Sequence, residues 1–205
     1  MKSDIVNITD DLFLGKGGHR ACYRHPADQS KCIKIILNSD GERTVNFELG
    51  FLHTLHKRGY FPRLIPRFYG TIETNKGKGY VYDLVQNADG TSAMTLDDFL
   101  KDPQRLNESK EILLALMSQL HKDLYDNQVI VRSLEAWNVL FPKGTDGTLS
   151  IRLVNDLGMP NKLKIPYYIS YAAHSHVEKH WRKFKHDMRP YYEGNKDAQD
   201  FINLL

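Results

Sequence analysis

Two side chains in the second half of this chain carry oxygens suited to a hard cation. Asn138 stands in the turn RSLEAWNVLF, directly ahead of an apolar stretch, and Asp156 follows a second such stretch, SIRLVN, to open an Asp-Leu-Gly turn. An amide and a carboxylate at the mouths of two neighbouring short strands form an oxygen pair for Mg²⁺. That ion keeps most of its waters and takes one or two protein oxygens beside substrate phosphates. A slip of one position would turn Asn155 rather than Asp156 toward it. A third group is Lys34, set in the apolar run Lys31-Cys-Ile-Lys34-Ile-Ile-Leu37. A lysine in a strand is ordinarily solvated, but inside such a run its ammonium is costly to bury unless it meets an anion.

Several elements must position these groups. The segment LFLGKGGHRACYR reads as strand, glycine turn, strand, with Gly15, Gly17 and Gly18 at its centre. Glycine tolerates unusual φ and has no Cβ, so such a hairpin brings backbone N–H groups near phosphate oxygens; an ordinary turn is the other reading. HPADQS is a second turn, leading into the Lys34 strand. Beyond it, Val45, Leu49, Leu52 and Leu55 or His56 follow a helical period, Glu48 borders the inner face and Gly59 closes the helix. Glu48 either turns inward to meet Lys34 or makes a pair on the helix surface. A proline-bounded linker from Phe61 leads to a strand, and Gly77-Lys-Gly79 turns the chain into the apolar strand YVYDLV at 80–85.

The second half opens with Thr95 followed by Asp98, an acidic variant of the helix N-cap pattern. A long helix at 108–125 places Ile112, Leu113, Leu116, Leu120 and Leu124 on one stripe and leads into the Ser133 turn. His121 near its end reads as structural. After Gly158 come the loop MPNKLKIP and an aromatic, basic helix at 168–187. Its His174, His176, His180 and His186 lack the acidic or cysteine partners of a zinc site. Its basic end, WRKFKHDMR, reads as a solvated helix face, the alternative being a surface for an acidic partner or phosphorylated substrate.

Composition narrows the class. At 205 residues, 41% hydrophobic and 26% charged, the chain matches an ordinary globular protein with one sizeable core or two small lobes. A net charge of +3 is too small to indicate nucleic-acid or membrane binding. Cys22 and Cys32 fall in expected strands and read as buried free thiols rather than a disulfide. The N-terminus lacks the basic and apolar regions of a signal peptide, and no apolar run reaches the ~20 residues of a membrane span. The expected location is cytoplasmic.

The order of these signals resembles a protein-kinase-like fold. Kinases place their metal ligands at the Asn ending H-R-D-L-x-x-x-N and at the Asp of D-F-G. Here those motifs read Val131-Arg-Ser-Leu-Glu-Ala-Trp-Asn138 and Asp156-Leu-Gly158. The glycine pattern G-x-G-x-x-G-x-V runs from Gly15 to Cys22 with Arg20 in place of the third glycine, and the Lys34 strand is similar to V-A-I-K. Over about residues 10 to 160 the resemblance implies an α+β fold. A β-rich N-terminal lobe with one helix (1–86) would precede a mainly helical, truncated C-terminal lobe (87–205). It also implies ATP and Mg²⁺ as cofactors, Lys34 on phosphates with Glu48 aiming it, Asn138 and Asp156 on the metal, and main-chain adenine contacts within 83–89.

More narrowly, LGKGGHRACYRHP, CIKI, GTIET with GYVYD, and SLEAWNVL resemble the bacterial YrbL family of PhoP-regulatory-network proteins. That resemblance implies a Gram-negative cytosolic protein tied to an envelope-stress or Mg²⁺-responsive regulon.

Two departures from kinases bear on activity. Ser133 replaces the Asp that accepts the substrate proton, a loss that typically costs about 10²–10⁴ in rate. Glu135 or Asp126 could substitute, or Ser133 could itself be phosphorylated. The short C-terminal part has no A-P-E segment, which lowers the expectation of protein phosphorylation and raises that of a small-molecule, lipid-sugar or regulatory role. Two functions follow: an atypical phosphotransferase with an unknown acceptor, or a pseudokinase acting through a regulatory protein partner. Nucleic-acid binding has only the mild positive charge and the basic helix behind it.

Overall fold

Alternating polar and apolar residues between Phe13 and Asp83 build one antiparallel sheet. The structure, a computed structural model, describes residues 5–60, 62–160 and 164–205. Parts of the expected linker (position 61) and of the MPNKLKIP loop (161–163) therefore lie outside the described residues. The chain divides into two units: residues through 46 with 66–85, and residues 47–65 with 86–205.

In the first unit, β1 (Phe13–Lys16), β2 (Arg20–His25), β3 (Asp28–Ile36), β4 (Phe68–Thr74) and β5 (Gly77–Asp83) lie in the order β1-β2-β3-β5-β4. Every neighbouring pair is antiparallel; short turns join β1 to β2, β2 to β3 and β4 to β5, whereas β5 reaches β3 from further along the chain. Central β3 is buried along Cys32, Ile33, Lys34 and Ile35, so both of its faces are covered there. Ile33 and Ile35 pack with Ile8, Val6, Tyr23 and Ile72 on one face, while Cys32 and Lys34 point to the other. Close packing dictates Gly79: a Cβ there would sit 2.5 Å from the Ile33 Cγ2 methyl.

Helix α1 (Ser39–Lys57) carries the division between the units, which falls after Asn46. Its buried side chains are Val45, Glu48, Phe51, Leu52 and Leu55; His56 is exposed. It ends as glycine allows. Gly59 adopts φ +71°, its N–H donates to the His56 carbonyl at 2.9 Å, and Tyr60 N–H donates to the Leu55 carbonyl at 3.1 Å. This pair of bonds satisfies two carbonyls that the helix end would otherwise leave open.

The second unit is mainly helical. Thr95 and Asp98 form a reciprocal capping box on α2 (Leu96–Lys101). Helix α3 (Pro103–Asp126) starts earlier than its apolar period suggests, because Asp102 caps it and Pro103 is preorganised for a first turn. Its buried stripe is Leu106, Leu113, Met117, Leu120 and Leu124. Ile112 is 45% exposed, since a neighbour of Leu113 lies about 100° around the helix. Burial of each stripe residue contributes roughly 1.5–3 kcal/mol relative to exposure.

A small sheet of β6 (Met94–Thr95), β7 (Val139–Phe141) and β8 (Arg152–Leu153) has the order β6-β7-β8. The SIRLVN strand is therefore shorter than its apolar pattern suggests. Helices α4 (Ser170–Met188) and α5 (Lys196–Leu204) complete this unit. Two histidines serve the α3–α4 packing: Tyr125 stacks on His174 at 4.0 Å and His121 on Trp181 at 4.5 Å, while within α4 His176 stacks on His180 at 4.0 Å. His121 also meets Glu178 at 3.0 Å. The fold is α+β, and among the described residues no helix is long and apolar enough to cross a membrane.

Two consequences can be measured. Gly158 has φ +75°, and a Cβ there would run into the Phe47 carbonyl and lie 2.9 Å from the Tyr167 hydroxyl. Left-handed backbone alone costs an L side chain roughly 1–2 kcal/mol, so Gly158→Ala will lower stability by at least that amount in urea denaturation. An unchanged midpoint would contradict the packing. Burial, then the neighbouring His176 and Lys179, push His180 down to about 4. The contribution of its neutral form is full above the ordinary histidine pKa of about 6.5 and is lost as pH falls toward the folded value. Stability measured from pH 7 to pH 4 will fall less steeply in His180→Gln than in the wild type.

Candidate functional site

After α3 the chain runs through Val129, Ile130 and Val131, all buried, which fixes the start of the Ser133 turn against the second unit's core. Backbone hydrogen bonds then tie this turn to the Asp156 turn. Gly158 N–H donates to the Ile130 carbonyl at 2.9 Å, Arg132 N–H to the Asp156 carbonyl at 2.6 Å, and Val154 N–H to the Asn138 carbonyl at 2.9 Å. Val131 and Leu157 form a bridge, and His176 Nε2 meets the Val131 carbonyl at 2.7 Å. Asn138 ends a 3-10 turn, Ala136–Asn138, immediately before β7.

This frame brings the two oxygen-bearing side chains together. Asn138 is buried, and its Nδ2 donates to Asp156 Oδ2 at 2.8 Å. Asn155 joins them: its Nδ2 donates to Asn138 Oδ1 at 3.2 Å. Asn155 and Asp156 thus both meet Asn138, Asp156 through its carboxylate. Asn155 and Asp156 both take left-handed backbone, φ +65° and +55°. Asn and Asp tolerate that region better than most residues, yet two in succession are uncommon and locate strain at this turn.

Arg132 makes an ion pair from Nη2 to Asp156 Oδ1, so both carboxylate oxygens have partners. Arg132 Nη1 is buried with no hydrogen-bond partner among the described residues. Sequence reasoning named Arg132 only as part of its motif. Its position beside Ser133 was the available signal, but a pairing across 24 residues is visible only in three dimensions.

Ser133 Oγ donates to Glu135 Oε1 at 2.9 Å, so these two candidates share the turn and a proton. Asp126, the other substitute for the absent Asp, is exposed on the last turn of α3 and pairs with Lys122.

The remaining candidates are described by unit. In the first, Lys34 is 8% exposed on β3, with its Nζ 4.6 Å from the Tyr82 ring centroid. Gly15 lies in β1, and Gly17 and Gly18 in the turn to β2, where Gly17 N–H donates to the Arg20 carbonyl at 2.9 Å. A Cβ built at Gly15, Gly17 or Gly18 would meet nothing within 4 Å. Packing within the protein therefore does not account for glycine at any of the three. In the second unit, Glu48 is 3% exposed on α1, which removes the surface-pair reading of that residue. Among the described residues no group of three or more His, Cys, Asp or Glu side chains is arranged to hold a metal.

The chain is 30% identical over 182 residues to the Escherichia coli (strain K12) protein YrbL, an overlap of 88% of this chain and 86% of that one. The Shigella flexneri YrbL matches with the same identity and coverage. A probable serine/threonine-protein kinase, zyg-1 of Caenorhabditis briggsae, is 26% identical over 153 residues, 73% of this chain but 20% of the relative. The family model described as PhoP regulatory network protein YrbL matches residues 6–189, and the chain belongs to that family.

Proposed function

We propose that this protein is a kinase-like, ATP- and Mg²⁺-binding member of its family with slow phosphoryl transfer to an acceptor hydroxyl. The observation that carries the reading is the Asn138–Asp156 pair, an amide and a carboxylate 2.8 Å apart on adjoining turns. Partial likeness to a probable serine/threonine-protein kinase supports it.

The residues fit the group. Asp156 offers a carboxylate, and Asn138 presents an oxygen to the same point once its amide turns over; amide oxygen and nitrogen differ little in size. Arg132 must then leave the carboxylate, and its partnerless Nη1 gains an acceptor if it follows a phosphate oxygen. In the first unit, Lys34 carries a buried ammonium on an apolar strand, with its Nζ 4.6 Å from the Tyr82 ring centroid, and the proposed role for that charge is to meet a nucleotide phosphate. In the second unit, Glu48 is a buried carboxylate, the group that the kinase resemblance assigns to aiming such a lysine. Glycines with open space above them leave the backbone approachable, where a Cβ would stand in a phosphate's way. Mg²⁺, when bound, would neutralise charge on the transferring phosphoryl group.

Glu135 is the base candidate. It already accepts the Ser133 hydroxyl proton in a hydrogen bond, and it could take the proton of an acceptor hydroxyl in the same way. Phosphoryl transfer rests mainly on positioning and charge neutralisation, so a displaced base slows such a reaction without abolishing it. A second reading, a pseudokinase working through a regulatory protein partner, is favoured by two observations. Ser133 is engaged with Glu135, and Asp156 already has Arg132 as counter-ion.

Three measurements follow. In thermal-shift titrations, ATP at about 100 times its dissociation constant will stabilise the fold by roughly 2.7 kcal/mol. The shift will require Mg²⁺ and disappear in Lys34→Ala and Asp156→Ala; no shift at millimolar ATP would end the nucleotide reading. Arg132→Met, which frees Asp156 of its counter-ion, will lower the Mg²⁺ concentration needed for half of that shift. Ser133→Asp will raise ATP turnover by about 10²-fold or more if transfer is limited by the missing base. A variant as silent as the wild type would leave the pseudokinase reading standing.

A further inference from the structure

Trp137 occupies the turn between the base candidate Glu135 and the candidate metal ligand Asn138. Its neighbours Ala136 and Asn138 are buried, yet Trp137 is 45% exposed. Tyr191, 67% exposed, stands against it with ring centroids 5.8 Å apart and planes at 82°. A single exposed aromatic needs no explanation, but a fixed orthogonal pair inside a candidate site does.

Both rings are held on anchored backbone. The Trp137 turn is tied to the Asp156 turn by the 2.8 Å hydrogen bond from Asn138 Nδ2 and by Val154 N–H on the Asn138 carbonyl. Tyr191 lies in a 3-10 turn, Arg189–Tyr192. On one side the Tyr192 hydroxyl donates to Asp97 Oδ1 at 2.7 Å. On the other, Gln199 Nε2 donates to the Arg189 and Tyr192 carbonyls at 2.8 and 3.1 Å. The two rings form a fixed corner. Directly ahead of the Trp137 turn, the Glu135 carboxylate accepts the Ser133 hydroxyl proton.

We propose that Trp137 and Tyr191 form the acceptor subsite and that the acceptor is a pyranose sugar, its ring lying on the indole and one hydroxyl directed to Glu135. The inference rests on the phosphotransferase reading for its reaction but not for its binding.

Size decides against a protein occupant. With about 150–250 Å² for a whole aromatic side chain, the exposed parts of the two rings amount to roughly 170–280 Å². A stable protein interface takes about 800 Å² from each partner. Chemistry then favours a sugar. Axial C–H groups on a pyranose face carry partial positive charge and settle on the negative face of an indole. The hydroxyls around the ring's rim need hydrogen-bonding groups instead. The corner offers the aromatic wall, and two residues away the same stretch offers a carboxylate that already accepts a hydroxyl proton.

The transfer balances. The sugar oxygen attacks the γ-phosphorus of ATP, the bond to the bridging oxygen breaks, and ADP leaves with that electron pair. The hydroxyl proton passes to Glu135.

The test is saturation-transfer-difference NMR on the protein without nucleotide or metal. The probes are methyl β-D-glucopyranoside and its 4-epimer methyl β-D-galactopyranoside, with sorbitol as an open-chain polyol. Saturation is expected on axial ring protons of at least one pyranoside and not on sorbitol. Trp137→Ala and Tyr191→Ala, which truncate exposed side chains, will weaken binding about fivefold or more, while Trp137→Phe keeps an aromatic face and most of the signal. No transfer to either pyranoside, equal transfer to sorbitol, or undiminished transfer in Trp137→Ala would overturn the proposal. With ATP and Mg²⁺ added, the bound sugar will raise ADP formation, and Tyr191→Ala will raise its KM more than it lowers kcat. ADP formation that no pyranoside raises would overturn the sugar acceptor and leave the phosphotransferase reading intact. Pyranoside binding without any ATP-dependent stabilisation would sink that reading, and the acceptor role with it.

Discussion

A partly buried carboxylate has to be compensated, and in the second unit that carboxylate is Asp156. Arg132 meets one of its oxygens and Asn138 the other, while the Asp156 carbonyl accepts the Arg132 backbone N–H. The left-handed backbone at Asn155 and Asp156 holds the side chain in this position, and Gly158 provides the close approach that ends the turn. The apolar segment 129–131 anchors one side of the network and β7 the other. Removing the guanidinium would leave a charge without its counter-ion, which is why the pair restrains the turn as well as filling it.

For the Mg²⁺ site proposed above, the same network would make cation binding an exchange reaction. Arg132 holds the carboxylate, so affinity for the proposed Mg²⁺ would reflect the difference between two counter-ions rather than the strength of one. A partner that draws Arg132 away, by offering an anion to its buried Nη1, would favour the metal. Nucleotide phosphates have the required charge, and so would a phosphorylated or acidic protein segment. The two readings of function therefore converge on this one arginine.

Much of the fold was legible in the sequence because local chemistry decides it. The glycine hairpin, the Thr95–Asp98 cap and the Gly59 stop each follow from backbone requirements that few residues meet. Helical periodicity found α3 and α4 but blurred the stripe on α3, where Ile112 is exposed and Met117 buried, because apolar residues crowd several faces there. The short β8 was overread because an apolar run need not be hydrogen-bonded along its whole length. At the site, motif spacing identified Asn138 and Asp156, and their hydrogen bond places them together. The Arg132 pairing and the part played by Asn155 were out of reach, since they depend on how two turns cross. The meeting of Trp137 with Tyr191 was equally hidden, for the same reason. Cys32 is buried as expected, whereas Cys22 is partly exposed, because Gly15 stands across from it and pairing partners are not written in strand periodicity.

The most direct test of the central claim replaces Mg²⁺ with Mn²⁺ and follows the metal by electron paramagnetic resonance in the presence of ATP. The account predicts one nucleotide-dependent Mn²⁺ site per chain, lost in Asp156→Asn and strengthened in Arg132→Met. Mn²⁺ that stays free with ATP and protein together, or that remains bound in Asp156→Asn, would contradict it.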